Sequence, residues 1–312
     1  MSSSRRALSK LYDFIKMQGQ LEKTPGFSSA LGLSYDSLVN KQDAVTINEN
    51  GITLRYPVTA DCLLPRQNEI SLSTYLAVID EVTTWALVLG DEKRSRPGKS
   101  ISLNLWACPD INVARRQPGD EVDIVASTQK IGNNIGFCNA TVKDAATNKH
   151  LCYASHVKYL PMGPLFDMAL SSYGWKATTL YAEHFLEHPV GAQETPLTDL
   201  FDSLTFVSDT TATFHVEPAH ASLGGPIHGG CQAVLMEMVA AQVAERLFNN
   251  VKLDSIQIQC MSPPRSKSGD IEIRTETLSC NDATGDIIFR VKLVGDERTK
   301  SEGILTFSPR QS

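Results

Sequence analysis

The chain repeats one pattern of predicted secondary structure, and this repeat constrains its fold more strongly than any other feature of the sequence. In each half, a strand-like run is followed by a loop, a strongly apolar helical stretch and an alternating strand. A turn ending in Gly-Asp then opens another alternating strand, and two further strand patterns complete the unit. The matching stretches are ITLRYPV (52–58) and TATFHVE (211–217), SLSTYLAVIDEVTTWALVL (71–89) and CQAVLMEMVAAQVAERLF (231–248), and ISLNLWA (101–107) and SIQIQCM (255–261).

The strand and helix patterns together predict an α+β fold with two similar units. Alternation of apolar and polar residues with turn signals between the runs is typical of antiparallel strands. Each helical stretch is apolar on nearly all faces, so we expect the sheet to wrap around it and not merely to lie against one side. We place the first unit, with an N-terminal helical extension, in residues 1–161. Residues 162–312 would hold a linker with an entry helix, and then the second unit.

Composition excludes several classes of function. The chain has 312 residues with 29 Lys and Arg against 35 Asp and Glu, and this net charge of −6 argues against a nucleic-acid partner. We find no apolar run long enough to predict a transmembrane segment. The seven cysteines are scattered without a CxxC pair, which indicates free thiols in an intracellular protein and no zinc site. The Ser- and Arg-rich N-terminus leaves cytoplasmic and mitochondrial locations open.

Two carboxylates interrupt the apolar helices at matching positions. Asp80 lies in YLAVIDEVTTW and Glu237 lies in AVLMEMVAAQ, each about ten residues into its helix. A buried, ionised carboxylate without partners costs several kcal/mol, so such a group tends to be paired, protonated or used in chemistry. Each acid could also reach solvent through a gap or bond a neighbouring backbone group. Their equivalent positions in two apolar helices favour a functional role.

A glycine-rich loop leads into the second helix. His228, Gly229 and Gly230 directly precede the apolar stretch, so the glycine N–H groups belong to the unsatisfied first turn. With the helix dipole, such donors suit an anion or a developing oxyanion, and glycine lets a ligand approach the backbone closely. Glu237 follows nine residues after His228. The loop and the carboxylate together predict a catalytic or binding site.

The His-Gly-Gly sequence with an acid nine residues after its histidine resembles the signature of hotdog-fold acyl-CoA thioesterases of the phenylacetyl-CoA thioesterase type. The resemblance covers both repeats and implies a tandem (double) hotdog fold, with a curved antiparallel sheet wrapped around one long helix in each unit. It also implies hydrolysis of acyl-CoA to free acid and CoA, a role in lipid metabolism. No cofactor or metal is needed, because coenzyme A is part of the substrate. Since single-unit relatives pair their dimers into tetramers, we expect a homodimer of double-hotdog chains.

In that family, glycine N–H groups hold the thioester carbonyl while a helix carboxylate from the partner unit acts as base or nucleophile. The resemblance therefore implies a first cleft with Gly229, Gly230 and His228 from the second unit and Asp80 from the first. Ser100 would match the family serine that orients the carboxylate or its water. This cleft therefore has a residue for each of the family's roles: the N–H donors, the carboxylate and the orienting serine.

The second cleft would pair Glu237 with the loop before the first helix, where Ser71-Leu72-Ser73 replaces the diglycine. The position that matches Ser100 falls near Leu253, which has no hydroxyl. Asn68 or Gln67 could supply substitute hydrogen-bond donors. We therefore expect a degenerate second cleft and one working site between the two units.

Coenzyme A would place phosphates at the mouth of the cleft. His156 and Lys158 resemble a His-x-Lys element of the family and are candidate phosphate contacts. Arg265 and Lys267, in the turn before the last three strands, are alternatives. All four could equally belong to a solvated basic face.

Two rival functions follow from the same features. A non-catalytic acyl-CoA-binding or interaction protein could keep the fold and lose turnover, as the degenerate second cleft suggests. A hotdog hydratase is the weaker rival, because its Asp and His, about five residues apart in the loop-to-helix segment, have no counterpart here.

Overall fold

The computed structural model describes residues 3–21, 26–39, 41, 44–49, 51–65, 67–92, 94–108, 116–161, 163, 168, 174, 196–222, 226–248, 250–262, 269–281 and 283–310. The N-terminal half contains α1 (Ser3–Leu21), α2 (Phe27–Ala30), α3 (Tyr35–Val39), β1 (Val45–Asn48), β2 (Gly51–Pro57), α4 (Leu72–Gly90), β3 (Lys99–Ala107), β4 (Glu121–Ile131), β5 (Ile135–Asp144) and β6 (His150–Tyr159). The C-terminal half contains β7 (Thr205–Phe206), β8 (Thr211–His215), α5 (Gly229–Leu247), β9 (Val251–Cys260), β10 (Asp270–Asn281), β11 (Asp286–Gly295) and β12 (Arg298–Pro309). Short 3-10 turns occur at Ala60–Cys62, Leu197–Phe201 and Pro218–His220.

The described strands form one antiparallel sheet in the order β1-β2-β4-β5-β6-β3-β9-β12-β11-β10-β8-β7. The two halves have the same internal order, and they meet where β3 pairs with β9. Leu103 lies opposite Ile258 in this central pair, and Leu105 lies opposite Ile256. The sheet is therefore continuous from one repeat to the other.

Each half of the sheet encloses one long helix, as the sequence predicts. Helix α4 contacts β2 to β6 and also β9, whereas α5 contacts β9 to β12. The two helices also pack against each other. This arrangement explains why both helices lack a polar face: the sheet covers one side and the partner helix covers much of the other.

The helix starts are fixed by capping residues. The hydroxyl of Ser71 accepts a hydrogen bond from the Thr74 N–H at the start of α4, at 3.0 Å. At the start of α5, the side chain of His228 accepts a hydrogen bond from the Gly230 N–H at 3.1 Å. Each N-terminus is directed by the packing toward the middle of the other helix, which carries the buried carboxylate.

Among the described residues, α4 is the one helix long and apolar enough to cross a membrane. Almost all of it is buried inside the protein, as expected of a core helix. Most of the linker and entry helix predicted at the start of residues 162–312 lies outside the described residues.

Candidate active site between the two units

Asp80 is buried where α4 meets the first turn of α5. Its side chain is almost fully enclosed, with 2% of the residue exposed. Its Oδ2 atom accepts a hydrogen bond from the Gly230 N–H at 3.2 Å and lies 3.4 Å from Nδ1 of His228. The structure thus brings together the carboxylate of one unit and the His-Gly-Gly loop of the other.

Ser100 completes the other side of the carboxylate. Its hydroxyl donates to Oδ1 of Asp80 at 3.1 Å. The pairing of β3 with β6 shifts register between Ser100 and Ser102, and such a bulge changes the direction of a strand side chain. Leu103 and Leu105 point inward, and strict alternation from them would turn Ser100 outward. The bulge shifts this alternation by one residue, so Ser100 faces the site.

His156 and Lys158 lie in the interior beside Asp80, not at the mouth of the cleft where we predicted phosphate contacts. Nε2 of His156 lies 3.0 Å from the Ser100 hydroxyl and 3.4 Å from Oδ1 of Asp80. Nζ of Lys158 lies 3.5 Å from the same Oδ1 and donates to the hydroxyl of Thr84. Both side chains point inward because they continue the alternation of β6, and the prediction of their position is wrong.

Hydrogen-bond donors determine the tautomer of His156. The single hydroxyl hydrogen of Ser100 is donated to Asp80, so Nε2 of His156 must carry the proton that Ser100 accepts. Nδ1 lies 2.6 Å from the hydroxyl of Thr83, which donates its hydrogen to the carbonyl oxygen of Ile79 at 2.6 Å. Hydrogen bonds therefore run from His156 through Ser100 to the carboxylate.

Asp80 is ionised despite its burial. Burial raises the pKa of Asp80, but the electrostatic interactions with Lys158, His228 and His156 and the hydrogen bond from Ser100 outweigh this effect. The pKa of this carboxyl therefore lies well below its usual range. Burial also lowers the pKa of His156 to about 3, so this imidazole is neutral at pH 7. The site presents a fixed negative charge held by several donors.

The two glycines have different roles, although we expected both N–H groups to hold a carbonyl oxygen. The Gly230 N–H already bonds Asp80 and His228, and Gly230 packs against the backbone of Ala77. Gly229 lines the cleft, and no acceptor among the described residues bonds its N–H. Gly229 is therefore the backbone donor available to a ligand, whereas Gly230 holds the carboxylate.

The site opens into a cleft of about 500 Å³. Its wall includes residues from α1, α4, β3, β6 and α5, from the loop before α5 and from the end of β9 and the turn after it, among them Phe14, Gln18, Asp80, Ser100, Lys158, Ser222, His228, Gly229 and Met261. Arg265 and Lys267, the alternative phosphate contacts, lie outside the described residues.

Sequence reasoning missed Glu81, which also lines the cleft and is 2% exposed. Its Oε1 atom lies 2.8 Å from Nε2 of His228. Glu81 directly follows Asp80 in an apolar helix, and this position could have indicated from the sequence that its side chain is buried near the site.

Comparison with solved structures identifies the architecture. No protein-family profile matches the sequence, and no curated protein sequence matches it. A conserved protein of unknown function with the hotdog fold from Alicyclobacillus acidocaldarius is similar with a TM-score of 0.53 and 9% identity, over 86% of this chain and 96% of that chain. This chain has the tandem hotdog fold.

Two further solved structures are similar to the tandem hotdog protein. The 12:0-ACP thioesterase from Umbellularia californica has a TM-score of 0.54 and 12% identity, over 83% of this chain and 94% of its own. The tesB protein of Mycobacterium avium subspecies paratuberculosis has a TM-score of 0.53 and 9% identity, over 88% and 99% of the two chains. At these identities, the likeness establishes the fold.

The second cleft of the tandem hotdog keeps one feature of the first. Oε2 of Glu237 accepts a hydrogen bond from the Ser73 N–H at 2.9 Å, just as Asp80 accepts from Gly230. The cavity beside Glu237 has a volume of only about 60 Å³. Asn68, suggested as a donor, is exposed and does not line this cavity, whereas Gln67 does.

Apolar residues replace the polar partners in the second cleft. Lys158 pairs with Ser100 across β6 and β3, and Phe307 pairs with Leu253 at the corresponding place on β12 and β9. In the same way, Leu305 stands where His156 stands in the first unit, opposite Ile256. Burial therefore dominates, and the pKa of Glu237 lies above its usual value despite the hydrogen bonds from Ser73. The environment of Asp80 thus lowers its pKa, whereas the environment of Glu237 raises its pKa.

Proposed function

We propose that this tandem hotdog protein hydrolyses acyl-CoA thioesters to free acid and coenzyme A at one site between its two units. The observation that carries the proposal is the ionised carboxylate of Asp80 beside a cleft that is also lined by Gly229, whose N–H bonds no acceptor among the described residues. A carbonyl carbon needs a nucleophile on one side and stabilisation of its oxygen on the other. Asp80 can supply or activate the nucleophile, and the Gly229 N–H can stabilise the carbonyl oxygen.

In the proposed reaction, the thioester carbonyl oxygen accepts a hydrogen bond from Gly229, which lies in the first turn of α5. This donor is preorganised, and the loss of one such donor typically lowers the rate by about 10²–10³-fold. The dipole of α5 adds to the stabilisation of the negative charge that develops on the oxygen.

Asp80 either attacks the carbonyl carbon or holds the water that attacks it. In the first route, an oxygen of Asp80 bonds the acyl carbon as the C–S bond breaks, and water then hydrolyses the resulting anhydride to the free acid and the Asp80 carboxylate. In the second route, the oxygen of the water bonds the acyl carbon directly as the C–S bond breaks. In both routes, water supplies the oxygen of the new acid group overall and the proton with which coenzyme A leaves as its thiol. The low pKa of Asp80 keeps the carboxylate charged at all working pH values. Ser100 and His156 fix the orientation of Oδ1, which leaves further lone pairs of the carboxylate for substrate or water.

Coenzyme A is the proposed carrier because of the sequence resemblance, and the fold is shared with a 12:0-ACP thioesterase. The carrier must therefore be tested directly. Neither a homodimer nor an intracellular location is needed for this site, and both stay predictions.

The test is release of free thiol from a series of acyl-CoAs of increasing chain length, with hydroxylated aromatic acyl-CoAs and the matching acyl-ACPs alongside. We expect release of CoA by the wild type and a loss of about 10–100-fold in Ser100→Ala, which breaks the chain from His156 to Asp80. Ser279→Ala, on the exposed end of β10, is the matched control. Release from acyl-ACP alone would contradict the CoA assignment. Binding of acyl-CoA without release would favour the non-catalytic rival.

A further inference from the structure

A second buried carboxylate lies beside the proposed catalytic one and has no part in the reaction described above. Glu81 follows Asp80 directly in α4, and the negative charge of Asp80 opposes its ionisation. Two adjacent buried carboxylates are costly unless each is well paired. This cost suggests that Glu81 has a role of its own.

Three donors surround Glu81. Its Oε1 atom accepts from the hydroxyl of Ser28 at 2.6 Å and lies 2.8 Å from Nε2 of His228. The amide of Gln18 donates to both carboxylate oxygens, at 3.3 and 3.2 Å. Gln18 belongs to α1 and Ser28 to α2, so the N-terminal extension holds one side of Glu81 and His228 holds the other.

These contacts determine the tautomer of His228. A carboxylate only accepts hydrogen bonds, so Nε2 of His228 carries the proton that it donates to Glu81. Nδ1 accepts the Gly230 N–H at 3.1 Å, and it therefore carries no proton. In this form, Nδ1 of His228 caps the first turn of α5.

The N-terminal extension also packs on this imidazole. The ring of Phe27 lies on the ring of His228, with centroids 5.1 Å apart and planes tilted by 38°. Phe27 is also one of the closest neighbours of Gly230. Helix α2 therefore supports the His-Gly-Gly loop through Phe27.

The other half of the protein lacks this arrangement. Met238 follows Glu237 where Glu81 follows Asp80, and Ser71 caps α4 where His228 caps α5. A methionine and a serine cannot form the buried carboxylate–imidazole pair. The pair is thus present only in the cleft that we propose to be active, which argues against a role in the packing of the fold.

We propose that Glu81, held by Gln18 and Ser28, is a positioning residue that fixes His228 in its Nε2–H form and thereby sets the position of the Gly229 N–H. The assignment rests on the proposed thioesterase function for its effect on rate. Glu81 acts through His228 in the way that a buried carboxylate orients the histidine of a hydrolytic triad. The N-terminal extension becomes part of the active site by this route.

The test combines ¹⁵N NMR of the histidine side chains with thioester hydrolysis. In the wild type we expect His228 to show a protonated Nε2 and an unprotonated Nδ1. Glu81→Met introduces the residue of the other repeat. It should lose this tautomer preference and lower kcat by about 100-fold with little change in KM, because the loop contact is realised in the transition state.

Glu81→Gln keeps an acceptor oxygen, so we expect it to retain the tautomer and most of the activity. Ser28→Ala removes one support of Glu81 and should fall between these two variants. Glu276→Gln, on the outer face of the sheet, is the matched control and should change neither measurement. Wild-type tautomer and kcat in Glu81→Met, or a protonated Nδ1 in the wild type, would overturn the proposal. If the tautomer responds as expected but no thioester is hydrolysed by the wild type, the positioning role stands and the proposed function falls.

Discussion

The N–H of Gly230 donates a hydrogen bond to Oδ2 of Asp80 over 3.2 Å, although the two residues stand 150 positions apart in the chain. The bond joins the start of α5 to the middle of α4, and the bond from Ser73 to Glu237 joins the same elements in the reverse order. Both clefts therefore share one backbone geometry. The side chains around each carboxylate decide what it can do.

Gly229→Ala tests the catalytic use of the loop. A Cβ atom at this position would lie 2.6 Å from Oδ2 of Asp80 and 2.7 Å from Cδ1 of Leu103. Both neighbours are side-chain atoms that can move, so we expect the variant to fold with a displaced carboxylate. A displacement of this kind should lower kcat/KM by about 100-fold, measured as thiol release. Full activity would show that the space beside Asp80 is not needed.

Gly230→Ala should instead destabilise the fold. Its Cβ atom would lie 2.5 Å from Cα of Ala77, which belongs to the backbone of α4 and cannot rotate away. We expect the two helices to separate slightly, at a cost of about 1–3 kcal/mol in the free energy of unfolding. Denaturant unfolding of the two alanine variants, side by side, measures the difference. Equal stability of both variants would contradict the close approach of α5 to α4.

The buried His156 predicts a dependence of stability on pH. Because burial lowers its pKa to about 3 from 6.5, the unfolded chain binds a proton below pH 6.5 that the folded protein does not bind. The free energy of unfolding therefore falls as the pH decreases from 6.5 toward 3, by at most about 1.4 kcal/mol per pH unit for this group. His156→Gln lacks this contribution.

We expect the stability difference between the wild type and His156→Gln to shrink from pH 7 to pH 5 in urea unfolding. Parallel pH profiles for the two proteins would show that the pKa of His156 is the same in the folded and unfolded states, and would contradict its lowering by burial.

Glu237 predicts the opposite trend. Burial raises its pKa, so the folded protein binds a proton more tightly than the unfolded chain, and this stabilisation is lost as the pH rises through the folded pKa. Glu237→Gln keeps an acceptor for the Ser73 N–H and carries no charge. Its stability relative to the wild type should therefore increase from pH 5 to pH 8. A relative stability that is the same at both values would contradict the raised pKa.

The sequence was sufficient to predict the repeat, the two core helices and the proximity of Asp80, Ser100 and the His-Gly-Gly loop. Periodicity determines which elements form, and the repeat determines which elements face each other. The predicted helix over 71–89 corresponds to Leu72–Gly90, and that over 231–248 corresponds to Gly229–Leu247.

The partners of Asp80 were harder to predict. Cys152 and Ala154 are buried on β6, and strict alternation continues to His156 and Lys158, so their inward direction could have been found from the pattern. The bulge that turns Ser100 toward the site has no sequence signal of its own. The contact of Glu81 with Ser28 and Gln18 depends on how the N-terminal extension packs, and tertiary packing of this kind is not encoded in local periodicity.

The most direct test of the single-site account compares Asp80→Asn with Glu237→Gln in acyl-CoA hydrolysis. Each change replaces a buried carboxylate by an amide of the same size, at equivalent positions of the two repeats. We expect Asp80→Asn to lower kcat/KM by about 10²–10⁴-fold, because the charged group that attacks or holds the water is lost. Glu237→Gln should hydrolyse acyl-CoA at the wild-type rate. An equal loss in both variants, or full activity of Asp80→Asn, would contradict the account.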